Sequence, residues 1–291
     1  PYLYGAGLIM LVLVLVAGVV GKGAQRWIDL GLFRFQPSEV MKLGVPMMVA
    51  WVMVRKPLPA TLSMVITGFI IVAIPAFLVI KQPDLGTAIL IAGSGIVVIF
   101  FAGMSWRLIG ILAAIAAAVA PLAWYLLHDY QRQRILTLFD PWSDPLGAGY
   151  HTIQSAIAVG SGGMYGKGWL NGSQSQLDFI PERSTDFIFA VFSEEFGFIG
   201  SLMLLIAYLF VIGRSLYIAI EAKDSYTRLL CGSLAVTFAI YVFVNIGMVT
   251  GILPIVGVPL PLISYGGTSM VSLMAGFGIL MSAYSNRWFM H

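Results

Sequence analysis

The sequence predicts an all-α fold, a polytopic transmembrane helix bundle with one long extracytoplasmic loop. Hydrophobic residues make up 59% of the 291 residues and charged residues only 10%, whereas soluble domains carry about 25% charged residues. The mean hydropathy is +0.92, and a soluble core could not bury that much apolar surface. Apolar runs of about 20 residues, the length that a membrane-spanning helix needs, recur along the whole chain.

Eight of these runs are predicted to be membrane-spanning helices, and they cover residues 3–20, 37–54, 61–80, 87–104, 107–127, 186–213, 228–248 and 266–286. The connection between the fifth and the sixth, residues 128–185, is long, polar and rich in glycine. Glycine and proline also interrupt the apolar sequence at 251–267. Because bare irregular backbone is not tolerated in lipid, we expect a re-entrant or broken segment there, packed against protein. One transmembrane domain is expected over residues 1–291.

Basic residues predict which side of the membrane each loop occupies. The short loops on one side carry seven Lys and Arg residues, Arg55, Lys56, Arg107, Arg214, Lys223, Arg228 and Arg287, and those on the other side carry four, Lys22, Arg26, Arg34 and Lys81. Cytoplasmic loops carry an excess of Lys and Arg. The first side is therefore predicted to be cytoplasmic, and the 128–185 loop to face outward. The net charge of +3 reflects these loops and does not indicate nucleic-acid binding.

Two opposite charges lie in the first turns of the predicted 37–54 helix. Glu39 and Lys42 are three residues apart, so they share one face of the helix. Ionisable groups inside a membrane are usually functional. The spacing is compatible with a mutually neutralising pair that faces the bundle interior. It is equally compatible with a cavity in which Lys42 binds a phosphate.

Further polar residues flank the predicted helices on the outward side. Arg26, Trp27 and Arg34 suit a site at the level of lipid headgroups, because guanidinium groups match phosphate oxygens and Trp favours the membrane interface. An ordinary aromatic belt with anchoring arginines would show the same residues. Asp84 opens the next outward-facing helix and either caps it or takes a direct part in catalysis.

The 128–185 loop combines charge with glycine. Arg132 and Arg134 are two residues apart, and a Gly-Ser-Gly-Gly stretch covers 160–163. Glycine lets a backbone approach a ligand closely, but flexible loops look the same, and the spacing matches neither a dinucleotide fingerprint nor a P-loop. His128 and His151 show no metal-ligand spacing, so they are expected to be structural or polar residues, and no metal ligand is assigned. The single cysteine in the chain excludes an intramolecular disulfide.

Asp186 lies where the polar loop enters an apolar helix. A carboxylate at this position either accepts hydrogen bonds from the free N–H groups of the helix start or has a catalytic function. Ser184 and Thr185 also offer capping oxygens beside it, so the residues alone leave both interpretations open. Glu194 and Glu195 follow two to three turns deeper. Because either would be expensive facing lipid, at least one should face the protein interior or pair with a cation.

Several long segments together resemble the SEDS family of cell-wall polymerases, and within it the branch that acts in cell elongation and rod shape. They are KGAQRWIDLG (22–31), RFQPSEVMK (34–42), QPDLGTA (82–88), HDYQRQR (128–134), DPWSDPLGAGYHTIQS (140–155), GSGGMYGKGWLNGSQSQLDFIPERSTDFIFAVFSEEFGFIG (160–200) and VNIGMVTGILPIVGVPLPLISYGG (244–267). They cover nearly the whole chain in order. The family has ten helices, so the resemblance implies that the first two are missing from this chain.

The resemblance also implies an activity, peptidoglycan glycosyltransfer, in which lipid II is polymerised into glycan strands and undecaprenyl diphosphate is released. The catalytic aspartate of the family corresponds to Asp186. Its other signature segments contain Arg26, Trp27, Gln36, Glu39, Lys42 and Asp84, which we expect to contact substrate. The implied partners are a class B penicillin-binding protein, which supplies the transpeptidase, and other elongation-complex proteins. The implied location is the bacterial inner membrane, with the active site on the periplasmic side.

A mechanism can be stated on this basis. Asp186 would act as the base on the acceptor hydroxyl, and Lys42, Arg26 and Arg34, with Arg132 and Arg134, would neutralise the departing diphosphate. No soluble cofactor is implied, but a divalent cation such as Mg²⁺ or Mn²⁺ could be held by Glu39 or Asp84. Two alternatives stay open. A lipid II flippase would suit the broken 251–267 segment, and a non-catalytic cell-wall scaffold would need no aspartate at a helix entrance.

Overall fold

The computed structural model describes residues 1–21, 24–29, 31, 34–126, 129–147, 149–177, 179–180 and 182–286. Lys22, Arg287 and His128, which enter the predictions above, lie outside the described residues, and so does the side chain of Arg134. The helices are α1 (Tyr2–Ala17), α2 (Pro37–Met53), α3 (Leu62–Lys81), α4 (Leu85–Phe101), α5 (Trp106–Leu126), α6 (Asp129–Phe139), α7 (Tyr150–Ser161), α8 (Ser173–Gln176), α9 (Ile188–Glu221), α10 (Ser225–Val249) and α11 (Gly267–Asn286).

All eight predicted spans are helices, so the all-α prediction is confirmed. In the described part of the chain, α3, α9, α10 and α11 are long and apolar enough to cross a membrane. Shorter apolar helices occupy Tyr2–Ala17, Leu85–Phe101 and Trp106–Pro121. The remaining predicted span, 37–54, corresponds to α2, which has 17 residues and contains Glu39 and Lys42. A helix in lipid satisfies all of its backbone hydrogen bonds internally, which is why apolar length alone locates these elements.

Two of the connections that were predicted to face outward have structure that was not predicted. The 128–185 segment contains α6, α7 and α8, together with a short 3-10 helix at Pro141–Ser143. The segment between α1 and α2 forms a small antiparallel sheet of β1 (Val19–Gly21), β2 (Ala24–Asp29) and β3 (Arg34–Phe35), in the order β1-β2-β3. Trp27 in β2 pairs with Val19 of β1.

The chain divides into two compact units. Unit 1 comprises Pro1–Met104, Phe210–Ile240 and Gly266–His291. Its centre is α2, which packs against α1, α3, α4 and α11. Met41, Val45 and Val49 of α2 are fully buried, so this helix supplies much of the apolar core of unit 1. The prediction of a single domain over residues 1–291 stays a prediction.

Unit 2 comprises Ser105–Leu209 and Tyr241–Tyr265. It contains the irregular stretch between the end of α10 and the start of α11, which confirms the predicted break at 251–267. Its backbone is held by protein, as expected for irregular structure at membrane depth. The hydroxyl of Tyr208 donates to the carbonyl oxygen of Pro261 at 2.7 Å, and Val258 and Leu260 are buried.

Candidate active site

Asp186 lies in a turn at residues 182–187, immediately before α9. The first helical residue is Ile188, so the helix begins two residues later than the predicted 186. Asp186 is half-buried. The carboxylate is therefore carried by a non-helical turn, and its position depends on what holds the backbone of that turn.

Three consecutive carbonyl groups of this turn accept hydrogen bonds from the stretch 245–265. The carbonyl oxygen of Ser184 accepts from the amide of Tyr265 at 2.9 Å. That of Thr185 accepts from the hydroxyl of Ser264 at 2.6 Å. That of Asp186 accepts from Nδ2 of Asn245 at 2.8 Å. These three hydrogen bonds hold the backbone of the turn at three successive residues.

Asn245 joins the turn to the broken segment. Its side chain is fully buried, and Nδ2 also donates to the carbonyl oxygen of Val258 at 2.7 Å. Nδ2 of Asn245 thus donates two hydrogen bonds, one to the backbone of the turn and one to the backbone of the broken segment. No role for Asn245 was predicted from the sequence. An asparagine within an apolar helix was the available signal, since polar side chains in membrane helices commonly hydrogen-bond to neighbouring elements.

Gly257 lies against the carboxylate of Asp186. Its φ angle is +70°, a conformation that L side chains rarely adopt. A Cβ atom at this position would lie 3.3 Å from Oδ2 of Asp186. Glycine therefore meets two requirements here, the backbone conformation and the close approach of the carboxylate.

Phe187, the residue after Asp186, takes part in an aromatic stack with His151. Phe187 is buried, and its ring stacks on that of His151 with 5.7 Å between centroids and 12° between planes. His151 belongs to α7, so this helix packs directly beside the turn. The finding agrees with the expectation that His151 is a structural residue.

The other predicted site residues divide between the units. Arg26, Trp27, Arg34, Gln36, Glu39, Lys42 and Asp84 belong to unit 1, and Arg132 and Arg134 belong to unit 2 with Asp186. Within unit 1 the structure forms two clusters. One contains Arg26, Gln36 and Asp84, and the other contains Glu39 and Lys42.

Asp84 caps α4, as one of the two interpretations predicted. Its Oδ1 accepts from the amide of Thr87 at 3.1 Å, while Oδ2 accepts from Nε2 of Gln36 at 3.4 Å and lies 3.6 Å from Nη1 of Arg26. Arg26 also donates to the carbonyl oxygens of Gln82 and Pro83. This cluster ties the sheet to the α3–α4 connection, and its donors and acceptors are largely used within the protein.

Glu39 and Lys42 form a buried ion pair. Nζ of Lys42 lies 2.6 Å from Oε1 of Glu39, and each side chain is 7% exposed. The hydroxyl of Ser272 in α11 donates to Oε2 of Glu39 at 2.8 Å. The geometry agrees with the mutually neutralising pair, and the proposed contact of Lys42 with phosphate stays a prediction.

The pair gives a stability prediction for Lys42→Met. Removing one partner of a buried ion pair leaves an uncompensated charge and costs about 3–5 kcal/mol, whereas replacing both partners is often tolerated. We expect Lys42→Met to lower thermal stability in detergent strongly, and Glu39→Gln combined with Lys42→Met to regain most of the loss. Lys56→Met, at an exposed position, is the control. A double variant that is as unstable as the two single losses combined would contradict the pairing.

The remaining side chains that were predicted to contact substrate differ in how far they are exposed or already bound to protein groups. The side chain of Arg34 is 64% exposed, and its Nε lies 3.9 Å from Oδ2 of Asp29. Trp27 is half-buried in β2. Arg132 donates to the carbonyl oxygens of Trp124 and Tyr125 at 2.9 and 2.7 Å, so it satisfies the C-terminal end of α5. Its contact with a diphosphate stays a prediction, as does that of Arg134.

The two carboxylates nominated for a divalent cation are already engaged with protein donors. Glu39 binds Lys42 and Ser272, and Asp84 binds Thr87 and Gln36. Among the residues that the structure describes, no group of three or more His, Cys, Asp or Glu side chains could hold a metal ion. The binding of Mg²⁺ or Mn²⁺ by Glu39 or Asp84 stays a prediction, and the proposed reaction uses no metal.

Known proteins resemble this chain over nearly its whole length. "Peptidoglycan glycosyltransferase MrdB" of Escherichia coli K12 is 56% identical over 288 residues, which is 99% of this chain and 78% of the relative. A chain from a structure described as "Structural coordination of polymerization and crosslinking by a peptidoglycan synthase complex" superposes with a TM-score of 0.81 at 34% identity, covering 99% of this chain and 81% of that one.

The crystal structure of Thermus thermophilus "Rod shape determining protein RodA" gives a TM-score of 0.71 at 30% identity, covering 98% of this chain and 77% of that one. The family model FtsW/RodA/SpoVE, described as "Cell cycle protein", matches residues 1–287. The fold and the apolar helices agree with a multi-pass membrane protein of this kind. The chain therefore belongs to the FtsW/RodA/SpoVE family, the SEDS family that its motifs resemble.

Proposed function

We propose that this chain is a peptidoglycan glycosyltransferase that polymerises lipid II into glycan strands for cell elongation and rod shape. The observation that carries the proposal is the half-buried Asp186, held through three consecutive carbonyls with its carboxylate against Gly257. Such an arrangement fixes one carboxylate where a polar loop enters an apolar helix. The 56% identity to a protein named as a peptidoglycan glycosyltransferase supports the same conclusion.

The proposed reaction is a single in-line displacement. The acceptor 4-hydroxyl oxygen forms a bond to the anomeric carbon of the donor sugar while the bond from that carbon to the diphosphate oxygen breaks. Asp186 takes the hydroxyl proton as the new bond forms. The bonding electrons leave with undecaprenyl diphosphate, and inversion turns the α-linked donor into a β-1,4 linkage.

The leaving diphosphate needs positive charge. We nominate Arg34 first, because its side chain is 64% exposed and its ion pair with Asp29 is long, at 3.9 Å. Arg26 and Lys42 already bind protein groups, so contact with substrate would require them to exchange partners. Apolar helix faces, such as the exposed Phe210 and Leu209 of α9, suit the prenyl chains of lipid-linked substrates.

The proposed partner is a class B penicillin-binding protein. The structure with a TM-score of 0.81 is described as a synthase complex that coordinates polymerisation and crosslinking. A polymerase makes strands that a transpeptidase crosslinks, so the two activities are chemically consecutive. We place the chain in the bacterial inner membrane with Asp186 on the periplasmic side, on the basis of the Lys and Arg distribution of its short loops.

Purified protein with lipid II is expected to produce glycan strands, resolved by length on a gel. An analogue of lipid II with a blocked 4-hydroxyl can donate but cannot accept, so it is expected to form no strands when it is the only substrate. The same protein, reconstituted in sealed vesicles, is also assayed for movement of fluorescent lipid II between the two leaflets. Movement of lipid II without polymerisation would show that the protein is a flippase and not a polymerase. If the protein shows neither activity, the result would favour a non-catalytic scaffold.

A further inference from the structure

Glu194 is a fully buried carboxylate for which the proposed reaction gives no role. Its Oε1 accepts from Nζ of Lys167 at 2.7 Å, the amide of Gln174 at 3.0 Å and the hydroxyl of Ser173 at 3.2 Å. Its Oε2 accepts from the amide of Ser175 at 3.4 Å. All of these donors belong to residues 161–176, here called the clasp loop. The carboxylate of Glu194 on α9 thus binds these four residues of the clasp loop, which precede it by 19 to 27 positions in the sequence.

The backbone of α9 binds the same loop. At Gly197 the helix is interrupted, with φ 66° and ψ −163°. The amides freed by the break, of Phe198 and Ile199, donate to the carbonyl oxygens of Gly163 and Met164 at 2.9 and 3.1 Å. In return, the amides of Lys167 and Gly168 donate to the carbonyl oxygens of Glu194 and Glu195, both at 3.0 Å. The clasp loop therefore substitutes for the missing helical hydrogen bonds of α9.

A chain of contacts leads from Glu194 to the catalytic turn. The carboxylate binds the amide of Ser175, and the carbonyl oxygen of Ser175 accepts from Nη1 of Arg183. Arg183 is three residues before Asp186. The turn that carries Asp186 is thus held on one side by the stretch 245–265 and on the other, through Arg183, by the clasp loop.

We propose that Glu194 is a positioning residue: its buried carboxylate holds the clasp loop on α9 and, through Ser175 and Arg183, fixes the turn that carries Asp186. The proposal rests on the proposed role of Asp186 as the base. A buried charge is expensive to retain, and apolar side chains would pack a loop on a helix at lower cost. The carboxylate does what an apolar residue cannot, because it collects an ammonium, a hydroxyl and two amides at one point.

The test compares Glu194→Gln and Lys167→Met with the parent protein in the lipid II polymerisation assay. Glu194→Gln is expected to lower kcat on the order of 10–100-fold, with KM changed by less than about twofold, because Asp186 is displaced while substrate-binding groups are untouched. Lys167→Met is expected to act in the same direction, and Lys167→Arg, which keeps the cation, to retain more activity than Lys167→Met. Glu221→Gln, an exposed carboxylate at the other end of α9, is the control.

Hydrogen exchange supplies a readout that is independent of catalysis. Glu194→Gln and Lys167→Met are expected to speed exchange of the amides in 161–176, and Glu221→Gln to leave it at the parental rate. Unchanged exchange in both variants would contradict the proposal that Glu194 and Lys167 hold the clasp loop on α9. Faster exchange with the parental kcat would contradict the positioning role of Glu194. If Glu194→Gln does not fold, Lys167→Met decides both questions, since it leaves α9 intact. A parent that makes no glycan would remove the proposed function and the positioning role, while the exchange rates would still decide the clasp.

Discussion

Replacing Asp186 by asparagine or alanine is expected to abolish glycan-strand formation while the protein still folds and inserts into membranes. General base catalysis contributes roughly 10²–10⁴-fold to a rate, and neither substitute can take the acceptor proton, although asparagine keeps the shape of the side chain. The turn itself is held through the carbonyl oxygens of Ser184, Thr185 and Asp186, which are backbone atoms that both variants retain. The measurement is the initial rate of lipid II polymerisation, with thermal stability in detergent recorded beside it.

Glu182→Gln is the matched control for this experiment. Glu182 lies in the same turn, is exposed, and its Oε2 accepts from the hydroxyl of Thr185 at 3.0 Å. A glutamine oxygen can accept the same bond, so we expect polymerisation within about threefold of the parent, in the range of surface substitutions. Full activity in both Asp186 variants would rule out Asp186 as the base. Equal losses in Glu182→Gln and Asp186→Asn would show that the charge of the turn matters, not one carboxylate.

The helices were predictable because apolar length is a local property of the chain. Each of the eight predicted spans coincides with a helix to within a few residues, except that α9 continues to Glu221 instead of 213. The helices α6 to α8 were missed because they lie in polar sequence, where no apolar run marks them. The strands β1 to β3 have two to six residues and are stabilised by pairing with each other, which a scan along the chain does not detect.

The site was only partly predictable for a related reason. Asp186 could be found, because a carboxylate at a membrane entrance is locally conspicuous. Its partners could not, since Asn245 is 59 residues away in sequence and Gly257 lies in a different segment. The arginine side chains show a different difficulty, because the sequence predicted a phosphate contact for residues that bind protein groups in the structure. Arg26 and Arg132 looked available for phosphate, yet both donate to backbone carbonyl oxygens, and sequence does not reveal which acceptors a long side chain will reach.

Asn245→Leu is expected to reduce polymerisation by about 10–100-fold, mainly in kcat, because a small displacement of a catalytic group is enough for such a loss. Leucine has a similar volume but no donors, so the carbonyl oxygens of Asp186 and Val258 lose their side-chain partner. Each unsatisfied buried acceptor costs about 1–3 kcal/mol, and thermal stability should fall as well. Asn245→Asp is expected to be worse, because a carboxylate oxygen would then face both carbonyl oxygens.

Thr237→Val on the same helix is the control for Asn245→Leu. It removes a buried polar group without removing the two hydrogen bonds that Asn245 donates. Thr237 is buried, and its hydroxyl has no hydrogen-bond partner in the described part of the chain, so an apolar isostere should be neutral or slightly stabilising. Comparing variants at a temperature well below their melting points separates activity from unfolding. If Asn245→Leu loses stability but keeps the parental kcat, the hydrogen bond to Asp186 stabilises the fold without positioning the base. A loss of kcat in the folded protein means that the base works only when Asn245 holds the backbone of its turn.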